Sequence, residues 1–289
     1  MLFRSEPRVL AHLTDFTSLL GIFSSGKDAY SAFGAQMFGI PELSKETHPT
    51  LRQSAKSALL GCGYGMGWAS FAAQLLTGFL GAPPTRYDKD FANTLGVTKL
   101  EGHEFLNDTE LVKRLFDIPH TCEDDELFIH ALCAKKIIKI YRDTSQPVVD
   151  FWSLCSQLIE YSLSKGKPYE YKCLRFDKER IILPSGLALK YPDLKYEPYE
   201  KGEKPSWHYQ AGKMRKRLYG GKLVENIVQA VARCVMTDGM VRIQKRYPCV
   251  LTVHDEVVVL VPDDEVVEAE KWVHEQMIKN PWYLDGIPL

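Results

Sequence analysis

The chain has 289 residues, 45% of them hydrophobic and 25% charged, enough for a sizeable core and one or two domains. Its formal net charge of −1 excludes attraction to a polyanion by bulk charge, so any such binding must come from a local basic face. It has no run of about 18 apolar residues that would serve as a membrane helix, and an acid and a proline stand near Met1 where a signal peptide needs an apolar block.

Residues 6–20 place Val9, Leu10, Leu13, Phe16 and Leu20 at helical spacing and predict one helix. A turn follows, with Asp28 positioned to cap a helix over 29–38. From Thr47 to Leu60 the chain predicts a further helix. On it Arg52, Lys56, Leu60 and then Tyr64 recur every four residues and form one slowly winding stripe. Two cations one turn apart with an aromatic beyond them suit a triphosphate whose base stacks further on. A solvated basic face with the aromatic in the core fits the same residues. Gly61, Gly63, Gly65 and Gly67 alternate with larger residues and permit close backbone approach. They follow a helix rather than a strand, which argues against a phosphate nest.

Pro83-Pro84 marks a break, and 85–128 reads as a polar connector with short helices. Leu127 to Lys165 is helical again, divided at Pro147. Residues 171–197 turn strand-like over Cys173–Phe176, Ile181–Leu183 and Leu187–Tyr191, with a Pro184-Ser185-Gly186 turn. Residues 201–222 read as a basic loop: Lys201, Lys204, Lys213, Arg215, Lys216, Arg217 and Lys222 stand against Glu203 alone. Such a run either grips a polyanion or is a solvated surface. A long helix from Leu223 to Lys245 buries Val224, Ile227, Val228, Val231 and Val235 and leaves Glu225, Asn226 and Gln229 off that stripe.

Val250 to Val261 sets two apolar, β-branched runs around His254-Asp255-Glu256, which predicts a tight hairpin. Apolar residues buried so close to two carboxylates point to a divalent cation at the tip; a polar tip facing water accounts for the same pattern. A last amphipathic helix, capped by Asp263 or Asp264, carries Val266, Ala269, Val273 and Met277, and the tail after it lacks a closing element. Seven scattered cysteines without a Cys-x-x-Cys pair argue for reduced thiols in a cytosol-like compartment and against a zinc site.

Three of these signals, in this order, resemble the polymerase core of family A DNA polymerases, especially phage-type replicative ones. Val253-His254-Asp255-Glu256 looks like the third catalytic motif, and Arg52-x-x-x-Lys56-x-x-x-Leu60-x-x-x-Tyr64-Gly65-Met66 like the nucleotide-binding helix. Leu223 to Ala230, after Tyr219-Gly220-Gly221, is similar to the palm helix of phage members. The resemblance covers nearly all of the chain except roughly 85–128.

It implies an α+β fold, a polymerase palm with an antiparallel sheet plus a mainly helical fingers subdomain. The palm would comprise 1–34 and 176–289, with the catalytic hairpin at 250–261. The fingers would be 35–175, with the nucleotide-binding helix at 47–67. The implied activity is template-directed nucleotidyl transfer from a dNTP to a primer 3′-hydroxyl with two Mg²⁺ ions. Asp255 and Glu256 would be metal carboxylates, acting with Lys56 in catalysis; Arg52, Lys56, Leu60, Tyr64, Glu6 and Tyr30 would bind the nucleotide. Arg217, Asn226, Gln229, His254 and Gly65 would contact DNA. Primer–template DNA and dNTPs are the implied partners, with no membrane, in the cytoplasm of a bacterial or phage-infected cell; replisome proteins are not identified.

The first motif departs from the pattern. Glu6-x-Arg8-Val9-Leu10-Ala11-His12 matches the end of Asp-x-Ser-x-x-Glu-x-Arg, and Glu6 would crowd a ribose 2′-hydroxyl, but the essential aspartate falls at Met1. A polymerase fragment truncated at both ends, or a diverged gene with a new start, is the expectation. Leu60 also stands where an aromatic is commoner, and Glu225 puts an acid beside the minor-groove amides. The alternative is a catalytically inactive nucleic-acid-binding remnant. Glu6 and Tyr64-Gly65 favour DNA over RNA synthesis, and a hydrolase built on His254 and Asp255 lacks a second ligand cluster.

Overall fold

Where one helix is predicted over 6–20 there are two, α1 (Ser5–Leu13) and α2 (Thr17–Ser24). The break falls at Asp15, whose φ of 52° lies in the left-handed region, and at Thr14, whose hydroxyl donates to the Leu10 carbonyl. Apolar spacing carries straight through such a break because Phe16 and Leu19 stay in the core. This computed structural model describes residues 5–78, 83–198, 204–253 and 255–289. It divides into two compact units, one made of Met1–Ser25 with Asp150–Leu289 and the other of Gly26–Val149.

The unit Gly26–Val149 is helical. Asp28 caps α3 (Ala29–Phe38), accepting from the Ser31 backbone N–H at 3.2 Å and its hydroxyl at 2.6 Å. α4 (Pro49–Gly61) starts on a proline, whose missing N–H costs nothing in a first turn. Small residues bring the two helices together: a Cβ at Gly34 would lie 3.1 Å from the Ala55 Cβ. α5 (Trp68–Thr77) falls in a stretch without a sequence-predicted element and packs on α9 (Asp124–Thr144). Between them lie the short α6 (Lys89–Thr94), α7 (Lys99–Asn107) and α8 (Thr109–Phe116), the connector predicted for 85–128.

Buried His130 ties this core together. Its Nδ1 accepts from the Tyr87 N–H and its Nε2 lies 3.1 Å from the Ala72 carbonyl, so the ring is held as the neutral Nε2–H tautomer. Burial, the largest cause, lowers its pKa.

The division between the units falls inside α10 (Gln146–Leu158), which a single π turn over Ile159–Ser164 continues. In the unit of Met1–Ser25 and Asp150–Leu289, β1 (Tyr169–Tyr171), β2 (Leu174–Asp177), β3 (Arg180–Ile182) and β4 (Ala188–Lys190) form an antiparallel meander, in which the predicted strands appear. Over its described residues the basic segment is not a loop; Lys201 and Glu203 lie outside them. β5 (Lys195–Glu197), β6 (Ser206–Ala211) and β7 (Met214–Leu218) form a second antiparallel sheet, with Gly212 at φ 61° in the two-residue turn before β7. Dense charge hides the strand alternation of Trp207, Tyr209 and Ala211.

α11 (Gly220–Ile243) buries the predicted stripe and packs on α1. β8 (Cys249–Val253) and β9 (Glu256–Val259) form the predicted hairpin, bulged between Cys249 and Leu251. α12 (Val266–Met277) is not capped by Asp263 or Asp264, which sit in a short 3₁₀ turn before it; Glu265 occupies the cap position without a side-chain capping bond. The tail does close the unit, with Leu284 and Ile287 buried and the Tyr283 hydroxyl on Asp238 at 2.7 Å. Among the described residues no helix is long and apolar enough to cross a membrane.

Candidate functional site

In the helical unit, α4 puts Arg52, Lys56 and Leu60 on one side, half-exposed, while Leu51, Ala55, Ala58 and Leu59 are buried on the other. Tyr64, also half-exposed, sits in the 3₁₀ turn Cys62–Tyr64 that follows, and Gly65 ends that turn at φ 77°. The Arg142 guanidinium donates to the Met66 carbonyl at 3.3 Å and ties the glycine-rich turn to α9. Both cations lie against one buried ring: Arg52 Cζ is 5.5 Å and Lys56 Nζ 5.6 Å from the Tyr30 centroid. Tyr30 is therefore a platform beneath the cations. Arg52 Nε also donates to the Asp28 carboxylate at 2.6 Å, a partner the sequence reading recognised only as a helix cap. Partial burial alone would raise the Asp28 pKa; hydrogen bonds from Arg52 and Ser31 outweigh it and hold the carboxyl well below its usual range.

In the other unit the hairpin departs from one premise of the sequence reading. Only one face of it is covered, and that partly: half-buried Cys249, Val257 and Val259 pack against Met236, Ile243 and Met277. Val250, Leu251, Val253, Val258 and Leu260 are exposed, Asp255 is half-buried and Glu256 exposed. Burial thus does not force a metal onto the tip. The Ser5 hydroxyl donates to Asp255 Oδ1 at 3.0 Å and lies 3.4 Å from Glu6 Oε2, so the start of α1 brings Glu6 beside the tip. Ser5 carried no signal, since the family pattern is lost there. His254 lies outside the described residues. Among those described, no group of three His, Cys, Asp or Glu side chains is arranged to hold a metal.

The same unit holds the residues assigned to DNA. Arg217 is exposed on β7, paired in register with buried His208. Asn226 is half-buried and its amide donates to the Tyr191 hydroxyl at 3.1 Å; Gln229, nearly a turn on, is exposed. Glu225 is held by Lys222 at 2.8 Å, which offsets the acid beside those amides.

Comparison with known proteins gives a consistent result. Residues 4–94 match the profile of DNA polymerase family A. The DNA polymerase of Bacillus phage SP02 is 30% identical over 268 residues, which cover 89% of this chain and 34% of that protein. The thermostable DNA polymerase I of Thermus thermophilus is 39% identical over 61 residues, 21% of this chain and 7% of that one. The chain thus spans about a third of the length of the phage relative. Among solved structures, the POL domain of Pol1 from M. smegmatis, in complex with DNA primer-template and dNTP, shares the fold. Its TM-score is 0.55 at 17% identity, covering 99% of this chain and 36% of that one. The motif order, the profile and the phage relative point one way, and the α+β architecture agrees with them: the chain is similar to DNA polymerase family A.

Proposed function

We propose that the chain serves template-directed DNA synthesis, joining a nucleotide from a dNTP to a primer 3′-hydroxyl with release of pyrophosphate. The observation that carries the reading is the α4 face, where Arg52 and Lys56 share the Tyr30 ring with Leu60 and Tyr64 further along. Arg52 and Lys56 bind the triphosphate, the phosphates taking over from Asp28 as partner to Arg52. Leu60 packs on the sugar and base, and Tyr64 stacks at the templating position. Glu6 crowds a ribose 2′-hydroxyl and so favours deoxynucleotides. Arg217, Asn226 and Gln229 contact the primer–template, and His254 and Gly65 are assigned to DNA with them.

Asp255 and Glu256 would hold a divalent cation at the hairpin tip, which when bound would supply Lewis-acid stabilisation of phosphate charge and lower the pKa of the attacking hydroxyl. Mg²⁺ takes one or two protein carboxylates and fills its shell with water and phosphate oxygens, and Asp255 with Glu256 fits that demand for one ion. The two-ion form needs a further bridging carboxylate, whose place in the motif is held by Met1, outside the described residues. Transfer by the chain as written is therefore slowed by several kcal/mol, at about 1.4 kcal/mol per decade.

The test measures primer–template binding and Mg²⁺-dependent extension on one preparation, for the chain as written and for an N-terminally extended version carrying Met1→Asp. Salt-dependent binding by both is expected, with extension at least about a hundredfold faster in the aspartate version. The second reading, a nucleic-acid binder without turnover, draws on Ser5 as the group engaging Asp255. Intact binding with no extension by the aspartate version establishes it and removes the first.

A further inference from the structure

The β5–β7 sheet carries more than Arg217. Register places Tyr196, Trp207 and Leu218 on one face, followed along the strands by Tyr209 with Lys216 and then Ala211 with Met214. Leu218 is buried, and Tyr209 meets the buried Tyr191 edge-on, so that part of the face belongs to the core. The rest does not: Tyr196 is 60% exposed, Met214 is 61% exposed and Lys216 is exposed. The Tyr196 and Trp207 rings lie 5.2 Å apart, tilted by 52°, and form a continuous aromatic surface that ends in solvent.

From residue 204 to 222 the charge has one sign, since the segment contains no acid. Among the described residues the acids flanking β5 are paired, Glu197 with Arg215 and Asp193 with Lys195, while Glu200 and Glu203 lie outside those residues. Lys204, Lys213, Lys216 and Arg217 have no ion-pair partner among the described residues. On a chain of net charge −1 this is a concentrated positive patch built around exposed rings.

We propose that the Tyr196–Trp207 face of this sheet binds single-stranded nucleic acid, the rings stacking unpaired bases while Lys216 and its neighbours hold the phosphates. Rings reach base faces only where bases are not already stacked in a duplex, which selects the single strand. Cations without rings would grip duplex equally well. The site needs neither a metal nor the hairpin, so it stands or falls separately from catalysis.

The experiment measures anisotropy of a labelled oligothymidylate and of a blunt duplex with the full chain, Tyr196→Ala, Tyr196→Phe and Lys216→Gln. Tyr196→Ala should weaken oligothymidylate binding about fivefold or more and leave the duplex nearly unchanged, while Tyr196→Phe keeps the affinity. Lys216→Gln should weaken binding and reduce the salt slope by about 0.7. In parallel, photocrosslinking of the unaltered protein to an iodouridine oligonucleotide should label Tyr196 or Trp207, a readout independent of how any variant folds. Crosslinks confined to other segments overturn the proposal. So does unchanged binding by Tyr196→Ala, an equal loss on duplex and single strand, or a loss in Tyr196→Phe as large as in Tyr196→Ala.

Discussion

Asp28 shows how one side chain serves local structure and the candidate site together. It caps α3 and holds Arg52 at 2.6 Å. Asp28→Asn keeps much of the cap and removes the charge, whereas Asp28→Ala removes both and should lower stability by about 0.5–2 kcal/mol in urea titration. The pH dependence has a definite sign. A carboxyl whose folded pKa is depressed contributes stability that is present above its unfolded value and lost as pH falls through the folded one. Wild type should therefore lose stability below the ordinary carboxyl value of 3.8 more steeply than Asp28→Asn, as acid titration followed by circular dichroism will show. The sequence displayed Asp28 as a cap because capping is read from neighbours. Its bond to Arg52 spans 24 positions and left no local trace.

At the scale of elements, one close approach fixes how two helices meet. Gly220 opens α11 where α10 passes: a Cβ there would lie 2.1 Å from the Trp152 carbonyl oxygen and 2.3 Å from Ser156 Oγ. Backbone cannot yield cheaply, so Gly220→Ala should destabilise by about 1–3 kcal/mol. Gly67→Ala, with nothing within 4 Å of its Cβ, should be nearly silent in the same melts.

His130 joins α5, α9 and the chain at Tyr87. Its lowered pKa makes the stability it contributes fully present above the unfolded value of 6.5 and lost as pH falls toward the folded value. Thermal melts should shift down between neutral and mildly acidic pH, and by less in His130→Gln.

Helix periodicity exposed α3, α4, α9 and α11 because each buries one stripe. It failed at α1 and α2, where apolar spacing runs through a turn, and at β6–β7, where the exposed positions are cationic and aromatic. The hairpin was legible from its β-branched runs. Its one-sided exposure was not, because alternation says nothing about what covers the outer face.

For the whole molecule, family and fold class were readable because the motifs are short, ordered and tied to elements the sequence also predicts. The compact units divide after Ser25 and Val149, whereas the family resemblance implies subdomain boundaries at 34 and 175. The difference lies partly in α10, a helix that runs through the division and offers no proline or glycine boundary there. The proposed synthesis assigns roles to residues of each unit, Lys56 in Gly26–Val149 and Asp255 in the other.

Single-turnover nucleotide incorporation by the Met1→Asp extended chain tests that claim most directly, comparing Lys56→Ala, Asp255→Ala and the double variant. The account predicts that each single change slows incorporation by about 10²-fold or more, and that the double falls well short of the product because both act in one transition state. Incorporation that survives Asp255→Ala at the parental rate would contradict it.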